Sequence, residues 1–158
     1  MKATLILAAA SLVAAQSTVY FIRHGEKPAD GSDGLSPQGE QRAQCLRDVF
    51  GASSQYNIGY IMAETPSSAI TTITDSVAFG TDGSHQRPFD TISPLAADLG
   101  ITVDTSWEHE HLTDLIAKLG DDDAPEYPGD HFDLIWTDPY PYTSIVSTTS
   151  ENCPGLDS

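Results

Sequence analysis

The chain has 158 residues, a length typical of one domain, and 39% of them are apolar, which is enough for a buried core. Its 23 acidic residues against seven basic ones give a formal net charge of -16. This charge argues against nucleic-acid and anionic-membrane partners, because phosphate groups select patches of Lys and Arg. Since cations are scarce, the positions of the few that exist are informative.

The N-terminus has the pattern of a secretory signal peptide. Lys2 precedes an apolar run that ends at Ala15, with suitable small residues for a signal-peptidase cut before Gln16. A buried first helix is the alternative, and the run is too short to span a membrane as a helix. We therefore expect a signal peptide at 1–15, a single domain at 16–158, and a secreted, extracellular protein.

The chain has two cysteines, Cys45 and Cys153. An oxidising extracellular compartment would permit a disulfide between them. Their distance does not follow from the sequence, so their pairing stays open.

The first predicted unit is a strand, a loop and a helix. Thr18 to Ile22 is short, β-branched and aromatic, as in a buried strand. After a loop rich in Gly, Asp and Ser, Ser36 is a good helix N-cap and Gly51 a good stop. Apolar residues between them repeat at helical spacing, which predicts a helix.

The rest of the chain alternates between strand-like and helical stretches. The predicted helices end at Gly100 and Gly120, and Ser67 to Gln86 is predicted to be a long surface loop. The further predicted strands are Ile58–Ala63, Ile101–Thr105, Phe132–Thr137 and Ser144–Thr148. Alternating strands and helices predict an α/β layered domain.

The sharpest chemical signal lies directly after the first strand. Arg23, His24 and Gly25 occupy the loop at the carboxyl end of that strand, where α/β sheets place their ligands. Arginine offers a permanently charged fork for phosphate oxygens, and a neutral histidine can act as a nucleophile. An ordinary surface turn is the plainer interpretation of the three residues alone.

Here the sequence resembles the histidine phosphatase superfamily, the phosphoglycerate mutase-like fold, and most of all its small secreted fungal members. Five segments carry the resemblance in order: Arg23-His24-Gly25-Glu26-Lys27-Pro28, Leu35–Ala43, Arg87–Thr91, Trp107–His109 and Phe132–Trp136. The resemblance implies a three-layer α/β/α sheet and a phosphatase that hydrolyses a phosphate monoester. It leaves the identity of this small phosphorylated substrate open.

The resemblance also implies the roles of individual residues. His24 would attack the phosphoryl group and form a phosphohistidine that water hydrolyses. Arg23, Arg87 and His109 would surround the phosphoryl oxygens, since phosphoryl transfer depends on positioning and charge stabilisation. We expect no metal and no cofactor in this chemistry.

The proton donor to the leaving oxygen stays open among three acids. Glu110 directly follows His109, and Glu26 and Glu108 are the other candidates. The segment from Glu108 to His111 could also be read as zinc ligands, but it lacks a third ligand at diagnostic spacing. The acidic run Asp121–Asp123 lacks EF-hand spacing, so we expect a solvated loop there.

One departure from the family pattern bears on activity. The apolar run expected before Trp107 is absent, and Gly100 to Ser106 leaves no room for both a helix and a strand. We expect a central strand to be missing, unless Ile101–Thr105 substitutes for it. The alternative function is therefore a catalytically impaired, acidic secreted remnant that binds a ligand or has no activity.

The remaining basic residues and histidines have plain structural interpretations. Arg42 and Arg47 are predicted on the solvated side of the first helix. Lys27 is predicted to be a solvated loop residue, and His85 and His131 surface residues.

Overall fold

The computed structural model describes residues 17–66, 70–73, 76–79, 85–107 and 112–157. The predicted signal peptide at 1–15 lies outside these residues. In chain order, the elements are β1 (Thr18–Phe21), α1 (Pro37–Phe50), β2 (Met62–Glu64), β3 (Ile70–Ile73), β4 (Ser76–Phe79), α2 (Gln86–Leu99), β5 (Asp104–Trp107), α3 (Leu112–Leu119), β6 (Leu134–Pro139) and β7 (Ser147–Ser150). The chain therefore has the mixed α/β content that its pattern predicts.

The strands form three separate ladders in the described ranges. One sheet has the order β1-β6-β7 with antiparallel neighbours. A second pairs β2 with β5 in parallel, and a third is the antiparallel hairpin β3-β4. The hairpin lies within the predicted surface loop, so that prediction is wrong in part. Strand β5 shows that a short extended segment does form before residue 108.

The ends of the helices follow from local sequence. The Ser36 hydroxyl accepts a hydrogen bond from the Gly39 amide at 3.1 Å, and Pro37 opens α1. Helix α2 ends at Gly100, whose φ of 67° is the left-handed conformation that favours glycine. These ends are confirmed, as is the stop of α3 before Gly120.

Alternate residues of β1 pack into two different apolar clusters. Tyr20 packs against a cluster that contains Leu46 of α1 and Leu95 of α2. Phe21 belongs to another cluster, which it forms with Ile116 of α3 and Trp136 of β6. Because side chains of a strand alternate between its faces, β1 is covered by helices on both sides.

A disulfide joins Cys45 of α1 to Cys153, which lies 108 residues further along the chain. It ties the C-terminal segment after β7 to the helix that follows the His24 loop. The open question of cysteine pairing is thereby answered. Within the described part of the chain, no helix is long and apolar enough to cross a membrane.

Candidate active site

The His24 loop packs against the start of α1 at a distance that only glycines allow. A Cβ on Gly25 would lie 3.0 Å from the Gly39 carbonyl oxygen. A Cβ on Gly39 would lie 2.6 Å from the Glu26 carbonyl oxygen, closer than real Cβ contacts occur. The Ser36 amide also donates to that carbonyl at 2.9 Å. These contacts fix the backbone on the C-terminal side of His24.

The same loop is held by the first turns of α2. The Gly25 amide donates to the Thr91 hydroxyl at 2.9 Å, and that hydroxyl donates to the Arg87 carbonyl at 2.7 Å. Thr91 is 1% exposed, so water does not compete for these bonds. The buried threonine therefore links the backbone next to His24 with the backbone of Arg87.

The half-buried His24 ring is held in one tautomer. Its Nδ1 lies 2.7 Å from the Gly25 carbonyl oxygen. Because a carbonyl oxygen can only accept, Nδ1 must carry the proton, which leaves the Nε2 lone pair as the nucleophile. Burial lowers the pKa of His24 below its usual value, and the charges of Arg23, Lys27 and Arg87 lower it further. The neutral ring is therefore the dominant form at neutral pH.

Arg87 carries a half-buried guanidinium group. Its Nε is buried and has no hydrogen-bond partner. Within the described part of the chain, its guanidinium forms neither a hydrogen bond nor an ion pair. A guanidinium without a carboxylate is notable in a chain with 23 acidic residues. Its charge lowers the pKa of His24, and Thr91 connects the backbone of Arg87 with the backbone next to His24.

Arg23 is fixed by the segment before β6. Its Nη1 donates to the carbonyl oxygens of Gly129 at 2.7 Å and His131 at 2.9 Å. Its guanidinium carbon lies 4.4 Å from the centroid of the Phe132 ring, which also packs at 6.0 Å from the His24 ring. Burial lowers the pKa of Arg23. The sequence pattern predicted Phe132 in a strand and gave no sign of this contact. Only the fold brings residue 132 close to residues 23 and 24.

The prediction that Arg42 is solvated is wrong. Arg42 is 1% exposed, and its Nη2 lies 2.7 Å from Glu26 Oε1. Its Nη1 bonds Glu151 at 2.6 Å and Asp157 at 3.0 Å. Helical spacing placed Arg42 opposite the apolar face, but the C-terminal segment covers that side of α1. Although burial disfavours its charge, hydrogen bonds to the three carboxylates raise the pKa of Arg42.

These bonds remove Glu26 from the candidate proton donors. Both oxygens of Glu26 accept hydrogen bonds from Arg42, at 2.7 to 3.2 Å. With both oxygens bonded to Arg42, Glu26 has no carboxyl oxygen free to face a leaving group. The other candidates, Glu108 and Glu110, lie outside the described residues, and so does the predicted second histidine, His109.

The other basic residues divide between the surface and the interior. Lys27 is exposed as predicted, and Arg47 forms an exposed ion pair with Asp98 at 2.5 Å. His131 and His85 are only half-exposed, and each ring lies against a carboxylate. The Nδ1 atoms lie 3.0 Å from Asp133 Oδ1 and 2.6 Å from Glu64 Oε1, respectively. The surface prediction for both histidines is therefore only partly right.

A groove of about 480 Å³ lies between α1 and α2, and its lining does not include His24. Its lining includes Leu35, Pro37, Glu40, Asp90 and Pro94. Two carboxylates and no basic residue make this groove unsuitable for a phosphate group. The candidate site is instead the region around the His24 ring, on which the charges of Arg23 and Arg87 act.

Comparisons with protein-family models, with curated proteins and with solved structures found no match. The grouping of His24, Arg23 and Arg87 rests on their own geometry and charge. Together they offer a neutral imidazole nucleophile and two guanidinium groups for an anionic substrate.

Proposed function

We propose that this chain is a secreted phosphatase of the histidine phosphatase superfamily that hydrolyses a phosphate monoester through a phosphohistidine on His24. The single observation that carries the proposal is the half-buried Arg87 guanidinium, which has no partner among the described residues and acts on a neutral His24. An unpaired cation beside a nucleophile is suited to an anionic substrate that supplies the missing partner.

The packing of β1 supports the three-layer α/β/α fold that we propose for this family member. Helices α1 and α2 contribute to the cluster on one face of β1, and α3 contributes to the cluster on the other. His24 then lies at the carboxyl end of a strand that is covered on both faces, where open α/β sheets bind ligands.

In the proposed reaction, Nε2 of His24 attacks phosphorus as the bond from phosphorus to the leaving oxygen breaks. The leaving oxygen takes a proton from an acid, with Glu110 and Glu108 as the remaining candidates. Water then attacks the phosphohistidine and gives a proton to the same acid, while the bond from phosphorus to Nε2 breaks. Inorganic phosphate leaves, and the imidazole and the acid are restored. Arg23 and Arg87, together with His109, stabilise the charge on the phosphoryl oxygens.

The second candidate function is a catalytically impaired remnant of the same fold. It is favoured by the separation of the β1-β6-β7 ladder from the β2-β5 ladder in the described ranges. A sheet without a continuous centre would misplace a second histidine. Such a protein would keep phosphate binding through Arg87 without turnover.

The test is hydrolysis of p-nitrophenyl phosphate by the secreted, purified protein in the presence of EDTA. We expect metal-independent turnover, which His24→Ala abolishes. Binding of inorganic phosphate without turnover would support the impaired remnant. Turnover that survives in His24→Ala would exclude His24 as the nucleophile.

A further inference from the structure

Two buried aspartates, one just after α3 and one in β6, interact electrostatically. Asp138, near the end of β6, is 0% exposed, and Asp121, just after α3, is 6% exposed. Asp121 belongs to the acidic loop that was predicted to be solvated, so that prediction is wrong for this residue. Burying a carboxylate is costly unless hydrogen bonds or a positive charge compensate.

Asp121 has such compensation in part. Its Oδ1 accepts from the Asp123 amide and its Oδ2 from the Ile145 amide, both at 3.2 Å. Each carboxylate oxygen has a second lone pair, so these two bonds leave room for further ligands.

Asp138 lacks this compensation. Both of its carboxylate oxygens are buried without a hydrogen-bond partner. Burial raises the pKa of Asp138 and the charge of Asp121 raises it further, whereas the Ser144 amide only counteracts this in part. No lysine or arginine contributes to this balance. The carboxylate therefore faces a like charge, and no cation among the described residues compensates it.

The loop after β6 folds back on the end of α3. A Cβ on Gly120 would lie 3.1 Å from the Tyr142 carbonyl oxygen, and the Ile145 amide of the same loop donates to Asp121 at 3.2 Å. Asp138 lies in the strand that this loop follows. The loop therefore joins the two segments that carry the buried carboxylates.

Two species can neutralise this pair, a proton or a cation. A protonated Asp138 would still have to donate its O–H to an acceptor, and neither of its oxygens has a hydrogen-bond partner. A hard divalent cation binds carboxylate oxygens such as these two and completes its coordination with other oxygen ligands, including water.

We propose that Asp138 and Asp121 bind a divalent cation, Ca²⁺, between the end of α3 and the loop after β6. Ca²⁺ accepts irregular oxygen coordination more readily than Mg²⁺ does. The secreted location that we propose would supply calcium at concentrations suited to a weak extracellular site. The spacing of the acidic residues within Asp121–Asp123 did not indicate this site, because the second carboxylate, that of Asp138, comes from β6.

The test uses the full secreted chain, freed of metal with EDTA and dialysed. CaCl₂ is titrated at pH 7.5 by calorimetry and by thermal unfolding, with MgCl₂ in parallel. We expect saturable calcium binding and an increase in Tm of about 5 °C at saturation, with a smaller effect of magnesium. Asp138→Asn is expected to abolish the calcium effect, and Asp122→Asn, at an exposed neighbour, to preserve it.

An absence of calcium binding to the wild-type protein would overturn the proposal, as would equal binding by Asp138→Asn. If that variant does not fold, Asp121→Asn takes its place, and unchanged calcium affinity in it would also overturn the proposal. A Tm that is insensitive to calcium, and whose rise on acidification persists in Glu151→Gln but is lost in Asp138→Asn, would show that the pair holds a proton instead. None of these outcomes depends on phosphatase activity.

Discussion

The most informative residue of the site is Arg87, because its charge has no partner in the described part of the protein. His24 and Arg87 could be recognised from the sequence as candidate site residues, since each is part of a short sequence motif. The surroundings of Arg42 could not, because its partners Glu151 and Asp157 lie 109 and 115 residues away. Helical periodicity identifies the apolar face of α1 but not what covers the other face.

At the scale of residues, Arg87→Met is expected to lower kcat/KM by about 10²-fold, because the variant loses a guanidinium that stabilises the transferred phosphoryl group. Arg87 also lowers the pKa of His24, so its removal raises that pKa towards the ordinary value. The rate increases as His24 loses its proton. The acidic limb of the pH–rate profile should therefore move to higher pH.

The matched control is Arg47→Met, which removes an exposed arginine paired with Asp98. We expect its profile to coincide with that of the wild type. NMR titration of the His24 ring measures the same pKa without turnover. An unchanged His24 pKa in Arg87→Met would contradict the proximity of the two residues.

At the scale of elements, the helices were predicted more accurately than the strands. The caps of α1 and α2 depend on adjacent residues such as Ser36 and Gly100, so local sequence is sufficient. Strand bounds depend on pairing partners. The predicted strand Ile58–Ala63 is observed as Met62–Glu64, because its ladder with β5 begins only at Met62. The β3-β4 hairpin was missed because its composition is typical of a loop.

The C-terminal segment that covers α1 also predicts a pH dependence of stability. Burial raises the pKa of Glu151 from 4.5 to about 7, against the lowering effect of Arg42. Between these values the folded state binds more protons than the unfolded state, so the free energy of unfolding falls as pH rises from 4.5 to 7.

We therefore expect Glu151→Gln to flatten the dependence of stability on pH over this window. Urea unfolding at several pH values measures the free energy of unfolding. The control is Glu126→Gln, at an exposed position. If Glu151→Gln follows the wild-type curve between pH 4.5 and 7, Glu151 does not titrate in this range.

At the scale of the whole molecule, the structure shows where the few positive charges lie and which of them are paired. Among the described residues, Arg42 and Arg47 are paired with carboxylates, whereas Arg87 is not. Arg23 is held by backbone carbonyls. The net charge of -16 repels a phosphate at long range, so the arginines must offset this repulsion locally. An α/β layered domain could be predicted from alternating elements, but the division into separate ladders depends on long-range pairing.

The most direct measurement of the central claim is the capture of phosphate on His24. The protein is mixed with a phosphate monoester and quenched in alkali within milliseconds, and its peptides are analysed by mass spectrometry. We predict phosphate on the peptide that contains His24 and none in His24→Ala. Substrate turnover without phosphate on His24 would contradict the proposed mechanism.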